Sequence, residues 1–270
     1  MIGEATVSAV RSADGTSIAF EQVGSGPALV LIDPALGFSG FRHMGSLPSL
    51  LASDFTVLTY DRRGRGESTD TPPYAVEREV DDLAALIAVA GGSAFVYGFS
   101  SGAVLGLHAA ARGLAITKLA LLEPPLGVDD RPPTPQLPEQ LEELVGAGRR
   151  GDAVVLFNTA IGVPEEMVAG MREAPFWLAL ESVAHTLVYD LAITGSLPLE
   201  ALSAITTPAL VVDSAESDSG LRAAAEAVAA ALPNGSHRRL TGEWHGVAPE
   251  DLAAALGDFL SAESKPDPGS

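Results

Sequence analysis

Short runs of apolar residues punctuate the chain, most of them in its first half. "SIAFEQVG" (17–24), "ALVLID" (28–33), "FTVLTYD" (55–61), "SAFVYGF" (93–99), "KLALLE" (118–123) and "ALVVD" (209–213) read as strands. Several are apolar nearly throughout, as parallel strands covered on both faces are. Between them the apolar positions recur at helical spacing. In "VEREVDDLAALIAVAGG", Val80, Leu83 and Ile87 share one face, and Gly91 and Gly92 stop the helix. A last helix begins at "APEDL", with Pro249 and two acids in its first turn, and its stripe holds Leu252, Leu256 and Phe259. Strand–helix alternation with right-handed crossovers predicts an α/β fold: a doubly wound, mostly parallel sheet.

Residues 126–203 break that rhythm. They open with "PPLGVDDRPPTPQLP", then follow helical patterns that are comparatively aromatic. The expected organisation is a core domain formed by 1–125 and 204–262, a helical cap over 126–203 inserted between two strands, and a frayed tail at 263–270.

Composition narrows the chemistry. Asp and Glu number 35 against 16 Lys and Arg, a net charge of −19 with histidine neutral. That field repels nucleic acid, phosphates and anionic membranes, so neither nucleic acid nor membrane is expected as a partner. With no cysteine, thiolate metal sites, disulfides and cysteine nucleophiles drop out. No leader pattern and no membrane-spanning apolar run stand out, and a cytoplasmic location is expected. No metal or cofactor is expected, because no histidine pair or carboxylate cluster has ligand spacing.

The sharpest chemical signal is "VYGFSSG". Gly98-Phe99-Ser100-Ser101-Gly102 fits G-x-S-x-G between a strand and a helix, the context in which a tight turn lifts a serine hydroxyl above a sheet. Only Ser100 has glycine on both sides at the required spacing, so it is the expected nucleophile. The N–H of Ser101, at the helix start, is an expected oxyanion donor. The second should come from "LVLIDPALGFSG": Pro34 has no N–H, and the next residue, Ala35, does. Of five histidines, His245 in "TGEWHGVAPEDL" sits in the loop between the last strand and the last helix, where a general base can be held over the serine. Expected substrate contacts are Asp33 and Leu36 from the first loop and Phe157, Trp177 and Tyr189 from the insertion. "YDRRGRGES" (60–68) reads as an ion-paired supporting turn.

The carboxylate partner of His245 stays open on these grounds, since Glu123, Asp213, Glu216 and Asp218 are all available. Glu123 ends an apolar strand and so requires a partner of its own. The serine turn, "DRRGRGES", the late histidine and the inserted helices together resemble the α/β-hydrolase family over essentially the whole chain. That family usually places its acid after the strand that follows the cap, here "VVDSAESDSG". A subgroup that includes the fungal zearalenone lactonases places a glutamate one strand earlier. "LALLEPPLG", "IDPALG" and a cap tryptophan, Trp177, resemble that subgroup, although it has Asp-Gly where this chain has Pro34-Ala35. The resemblance implies Glu123 as the acid and a serine hydrolase acting on a carboxylic ester or lactone; the apolar insertion favours a neutral, fairly bulky small-molecule substrate, and a monomer or homodimer is expected. Other outcomes of the same fold are a C–C hydrolase, a cofactor-free cyclase or oxygenase, and a ligand receptor.

Overall fold

A computed structural model describes residues 7–126 and 136–262 of the chain. The six strands read from the pattern join two more in one eight-stranded sheet. Its members are β1 (Ser8–Arg11), β2 (Ser17–Gly24), β3 (Ala28–Ile32), β4 (Thr56–Tyr60), β5 (Ala94–Phe99), β6 (Ile116–Leu122), β7 (Ala209–Ser214) and β8 (Gly235–Leu240). They lie in the order β1-β2-β4-β3-β5-β6-β7-β8. Pairing is parallel from β4 through β8 and antiparallel where β2 meets β1 and β4. Two features go beyond the sequence reading. β1 is a mostly exposed edge strand, so it carries no apolar signature. β6 starts two residues before the expected Lys118.

Burial on both faces explains the uniformly apolar strands. Along β3, Leu29 and Leu31 enter one core while Val30 and Ile32 enter the other, and none is more than 1% exposed. The Val30 side is covered by α2 (Val76–Val89), α3 (Ser101–Ala111) and α9 (Ser219–Ala231). The Leu29 side is covered by α1 (Leu47–Leu51) and α10 (Pro249–Ser261). Lys118 of β6 caps the C-terminal end of α10 by donating to the carbonyls of Phe259, Leu260 and Ala262.

Between β6 and β7 run α4 (Leu137–Gly146), α5 (Arg150–Ala160), α6 (Glu165–Glu173), α7 (Trp177–Ser182) and α8 (Leu187–Gly195), with 3₁₀ turns at Ala184–Thr186 and Leu199–Ala204. These helices do not pack only on each other. Their core takes in Leu36 and Phe38 of the loop after β3, and Ile193 of α8 joins the main core. The second 3₁₀ turn crosses the boundary drawn at 203/204. Residues 127–135 of the expected cap and the expected tail at 263–270 lie outside the described residues.

Candidate active site

Ser100 stands between β5 and α3 with φ 53° and ψ −120°. A non-glycine residue in that region is strained, and it persists only where its surroundings hold it. Here its N–H donates to Leu122 O at 2.9 Å, and its carbonyl accepts from Ala103 N and Val104 N at 2.9 and 3.2 Å. The flanking glycines serve close approach rather than unusual dihedrals. A Cβ on Gly98 would press on the Gly102 carbonyl and reach Ala103 Cα at 2.6 Å, and one on Gly102 would meet Ile32 O at 2.5 Å.

His245 occupies the two-residue turn between β9 (Gly242–Glu243) and β10 (Gly246–Val247), at φ 52°. Its Nδ1 lies 2.5 Å from Glu123 Oε2. A carboxylate only accepts, so Nδ1 carries a hydrogen; in the neutral ring Nε2 then presents a lone pair. Glu123, the first residue past β6, is fully buried and also left-handed, at φ 46°. Its Oε1 accepts the N–H of Ser214 at 2.8 Å. Both oxygens of the carboxylate are therefore engaged. Two of the three alternative acids are engaged elsewhere, and the third faces solvent. Asp213 pairs with Arg239 at 2.6 Å and lies 3.3 Å from His237, Asp218 caps α9 by accepting from Gly220 N and Leu221 N, and Glu216 is exposed. That same segment contributes in another way, one without a local sequence signal. Ser214 Oγ donates to Glu243 O at 2.7 Å and Ser217 Oγ accepts from His245 N at 2.9 Å, so two serines hold the histidine turn.

Ser100 and His245 border one cavity of about 260 Å³. Its wall is mainly apolar and includes Ala35, Leu36, Phe157, Met167 and Trp244. No Asp, Glu, Lys or Arg is among the described residues that border it. The polar side chains besides Ser100 and His245 include His43 and Asn158. Burial, with His245 and Arg65 nearby, lowers the His43 pKa to about 4, so its ring is neutral at ordinary pH.

Three expected substrate contacts do not border the cavity. Trp177 donates from Nε1 to Glu181 at 2.6 Å, beneath the Arg172 guanidinium. Tyr189 stacks on Tyr74 with ring centroids 3.8 Å apart and donates to Asp70. Asp33 lies behind the loop against Gly37, its Oδ1 without a hydrogen-bond partner and Arg42 3.7 Å from Oδ2. Burial pushes its carboxyl up to about 6, against the pull of Arg42 and Arg65. The other histidines are held away from Ser100: His108 by Ile193 O, His237 beside Asp213, and His185 in a 3₁₀ turn of the insertion.

Behind the serine lies a buried ion network. Arg62 binds Glu79 through two bonds of 2.8 and 2.9 Å, and Arg63 binds Asp82 in the same way. Asp190 of α8 accepts from Arg62 and Ser101 Oγ on one oxygen and from Arg65 on the other, each at 2.7 Å. Burial alone would raise the Asp190 pKa, yet Arg65 and Arg62 hold it below the usual carboxylate range. Asp190 is a third residue with no signal in the sequence, since its partners lie up to 128 residues away.

This arrangement, a serine on a strained strand-to-helix turn beside a late-loop histidine under inserted helices, is that of an α/β hydrolase. The chain belongs to the alpha/beta hydrolase family, whose model matches residues 29–255. It is similar to an alpha/beta hydrolase from Sphaerobacter thermophilus DSM 20745, at 49% identity and a TM-score of 0.89 over 94% of this chain and 100% of that one. An enol-lactonase from Burkholderia xenovorans LB400 shares the fold at 22% identity and a TM-score of 0.71, over 95% of this chain and 100% of the other. The uncharacterized hydrolase YraK of Bacillus subtilis (strain 168) is 39% identical over 98 residues; the match spans 34% of this chain and 35% of that relative's length. Among the described residues no helix is long and apolar enough to cross a membrane, and no group of three or more His, Asp and Glu could hold a metal ion.

Proposed function

We propose that the protein is a serine hydrolase that cleaves a carboxylic ester or lactone of a neutral substrate through an acyl-enzyme. One observation carries this reading: Ser100 and His245 border the same uncharged cavity, and the far nitrogen of His245 is bound to the buried Glu123. His245 Nε2 takes the proton of Ser100 Oγ as that oxygen attacks the carbonyl carbon. The N–H groups of Ala35 and Ser101 hold the tetrahedral oxyanion. Glu123 stabilises the imidazolium that forms, without itself taking the proton. The imidazolium then protonates the leaving alkoxide as the C–O bond breaks; in a lactone that alcohol stays tethered to the acyl chain. Water, deprotonated by His245, releases the acid and restores Ser100.

Substrate class follows from the wall. An apolar cavity free of charged side chains favours an uncharged ligand, since a buried carboxylate or ammonium would find no counter-ion. Its volume lies just below the usual pocket range of about 300–1,000 Å³. That favours an aryl ester or a compact lactone over the bulkiest macrolactones. The test is to treat the protein with an alkyl fluorophosphonate and map the adduct, alongside a panel of neutral esters and lactones. The reading expects one phosphonyl group on Ser100 and loss of turnover. A folded protein that stays unlabelled, or is labelled elsewhere while activity is lost, overturns it.

A further inference from the structure

We infer that Asp190 is a positioning residue that fixes both arms of the oxyanion hole from the inserted helix α8. The inference rests on the proposed roles of the Ala35 and Ser101 N–H groups. These two donors come from separate loops, one after β3 and one after β5, and a shift of either would misplace it relative to the oxyanion. Asp190 is joined to each by a short path.

Toward Ser101 the path is direct. The Ser101 hydroxyl donates to Asp190 Oδ1 at 2.7 Å, which pins the first residue of α3, the one whose N–H is the proposed donor. Toward Ala35 it runs through Arg65. Asp190 Oδ2 receives Arg65 Nη2 at 2.7 Å, and Arg65 Nη1 donates to Pro34 O at 2.8 Å and Gly37 O at 3.2 Å. Pro34 C=O and Ala35 N–H belong to one planar peptide, and in the trans form they point in opposite directions. Gripping the carbonyl therefore aims the N–H. A guanidinium on that carbonyl also polarises the peptide and strengthens its N–H as a donor. Thr186, just before α8, receives Arg65 Nε at 3.1 Å, so the guanidinium is held on three sides.

The charges make the idea testable by sign. Arg62, Arg65, Glu79 and Asp190 together are neutral, all four nearly fully buried. Neutralising Asp190 would leave a surplus positive charge behind the oxyanion. If only the field mattered, an Asp190→Asn variant would react faster. If positioning matters, it reacts slower despite the favourable charge.

The readout is Ser100 labelling by an alkyl fluorophosphonate, followed by intact mass, because attack at phosphorus builds an oxyanion in the same hole and needs no knowledge of the natural substrate. Saturation kinetics separate the binding constant of the probe from its maximal labelling rate. For Asp190→Asn the maximal rate is expected to fall about tenfold or more, with the binding constant within about twofold. Loss of a whole oxyanion donor costs about 10²–10³ and sets the upper limit. Ser101→Ala leaves every ion pair intact and is expected to lose about threefold. It carries the test if Asp190→Asn fails to fold. Variants that label as fast as the parent, or that lose only binding, overturn the inference while leaving the hydrolase reading in place. A parent that is not labelled at Ser100 overturns both.

Discussion

Replacing Glu123 by glutamine changes one atom and sets two donors against one acceptor. The native carboxylate receives Ser214 N–H on Oε1 at 2.8 Å and His245 Nδ1–H on Oε2 at 2.5 Å. Glutamine offers a single oxygen. If that oxygen faces Ser214, the amide NH₂ faces His245, whose Nδ1 must then accept and whose hydrogen moves to Nε2. No lone pair is left to take the proton of Ser100. If the amide is flipped, Ser214 N–H meets another donor in a fully buried site, which costs about 1–3 kcal/mol. The imidazolium also loses its negative partner. The first orientation avoids the buried clash and should prevail. A wrong tautomer in a related triad lowers kcat by about 10⁴, or about 5.5 kcal/mol of barrier. The assay is kcat on an activated neutral ester, with circular dichroism and Tm showing that Glu123→Gln remains folded. Asp213→Asn, measured beside it, should lose stability through its pairing with Arg239 yet keep kcat within a few-fold. A folded Glu123→Gln with kcat within tenfold of the parent would refute the assignment.

Other substitutions probe the surroundings of the site. Asp33→Asn should stabilise the protein at pH 7–8 but not at pH 4. A carboxyl raised from 3.8 to about 6 contributes stability below the first value that is lost as pH rises through the second, about 3 kcal/mol at roughly 1.36 kcal/mol per pH unit; equal Tm changes at both pH values would contradict this. Gly98→Ala should cost about 1–3 kcal/mol or more and displace Ser100, because its Cβ would press on backbone atoms that cannot swing aside; unfolding in urea and fluorophosphonate labelling report the two losses. Phe157→Ala should raise KM for a large apolar ester more than for an acetyl ester, whereas Trp177→Ala, outside the cavity, should leave that ratio unchanged. A shift in the ratio for Trp177→Ala alone would place the substrate against Trp177 instead of in the cavity.

Much of the site was legible because its signals are local. The serine turn announces itself within five residues, and the place of His245 follows from one loop between a strand and a helix. Glu123 raised its own question as a charge closing an apolar strand. The supporting shell lacked such signals. Ser214 and Ser217 read as ordinary loop serines until the histidine turn folds onto them. "DRRGRGES" was legible as an ion-paired turn, but nothing in it tells that Arg65 grips the Pro34 carbonyl and a carboxylate 125 residues away. Trp177 and Tyr189 show the opposite failure. An aromatic on an amphipathic helix has the same spacing whether it lines the cavity or packs elsewhere, and for Trp177 the resemblance to the lactonases favours the first.

The conformation of Glu123 ties these observations to the sheet. The described non-glycine residues with positive φ are Leu36, Ser100, Glu123 and His245, and all but Glu123 border the cavity. Each such residue costs about 1–3 kcal/mol unless its surroundings hold it. Here the parallel ladder does so beyond the strand ends. Phe99 pairs with Leu122, and Leu122 with Val212. One residue further on, Ser100 N–H bonds Leu122 O and Glu123 N–H bonds Val212 O. Ser100, Glu123 and Asp213 thus stand abreast on three neighbouring strands. Asp213 remains extended within β7, and its carboxylate meets Arg239 and His237 of β8. Glu123 leaves its strand through the left-handed region, and its carboxylate meets Ser214 N–H and the His245 ring. Two acids in equivalent register thus take different partners because only one of them has left the strand.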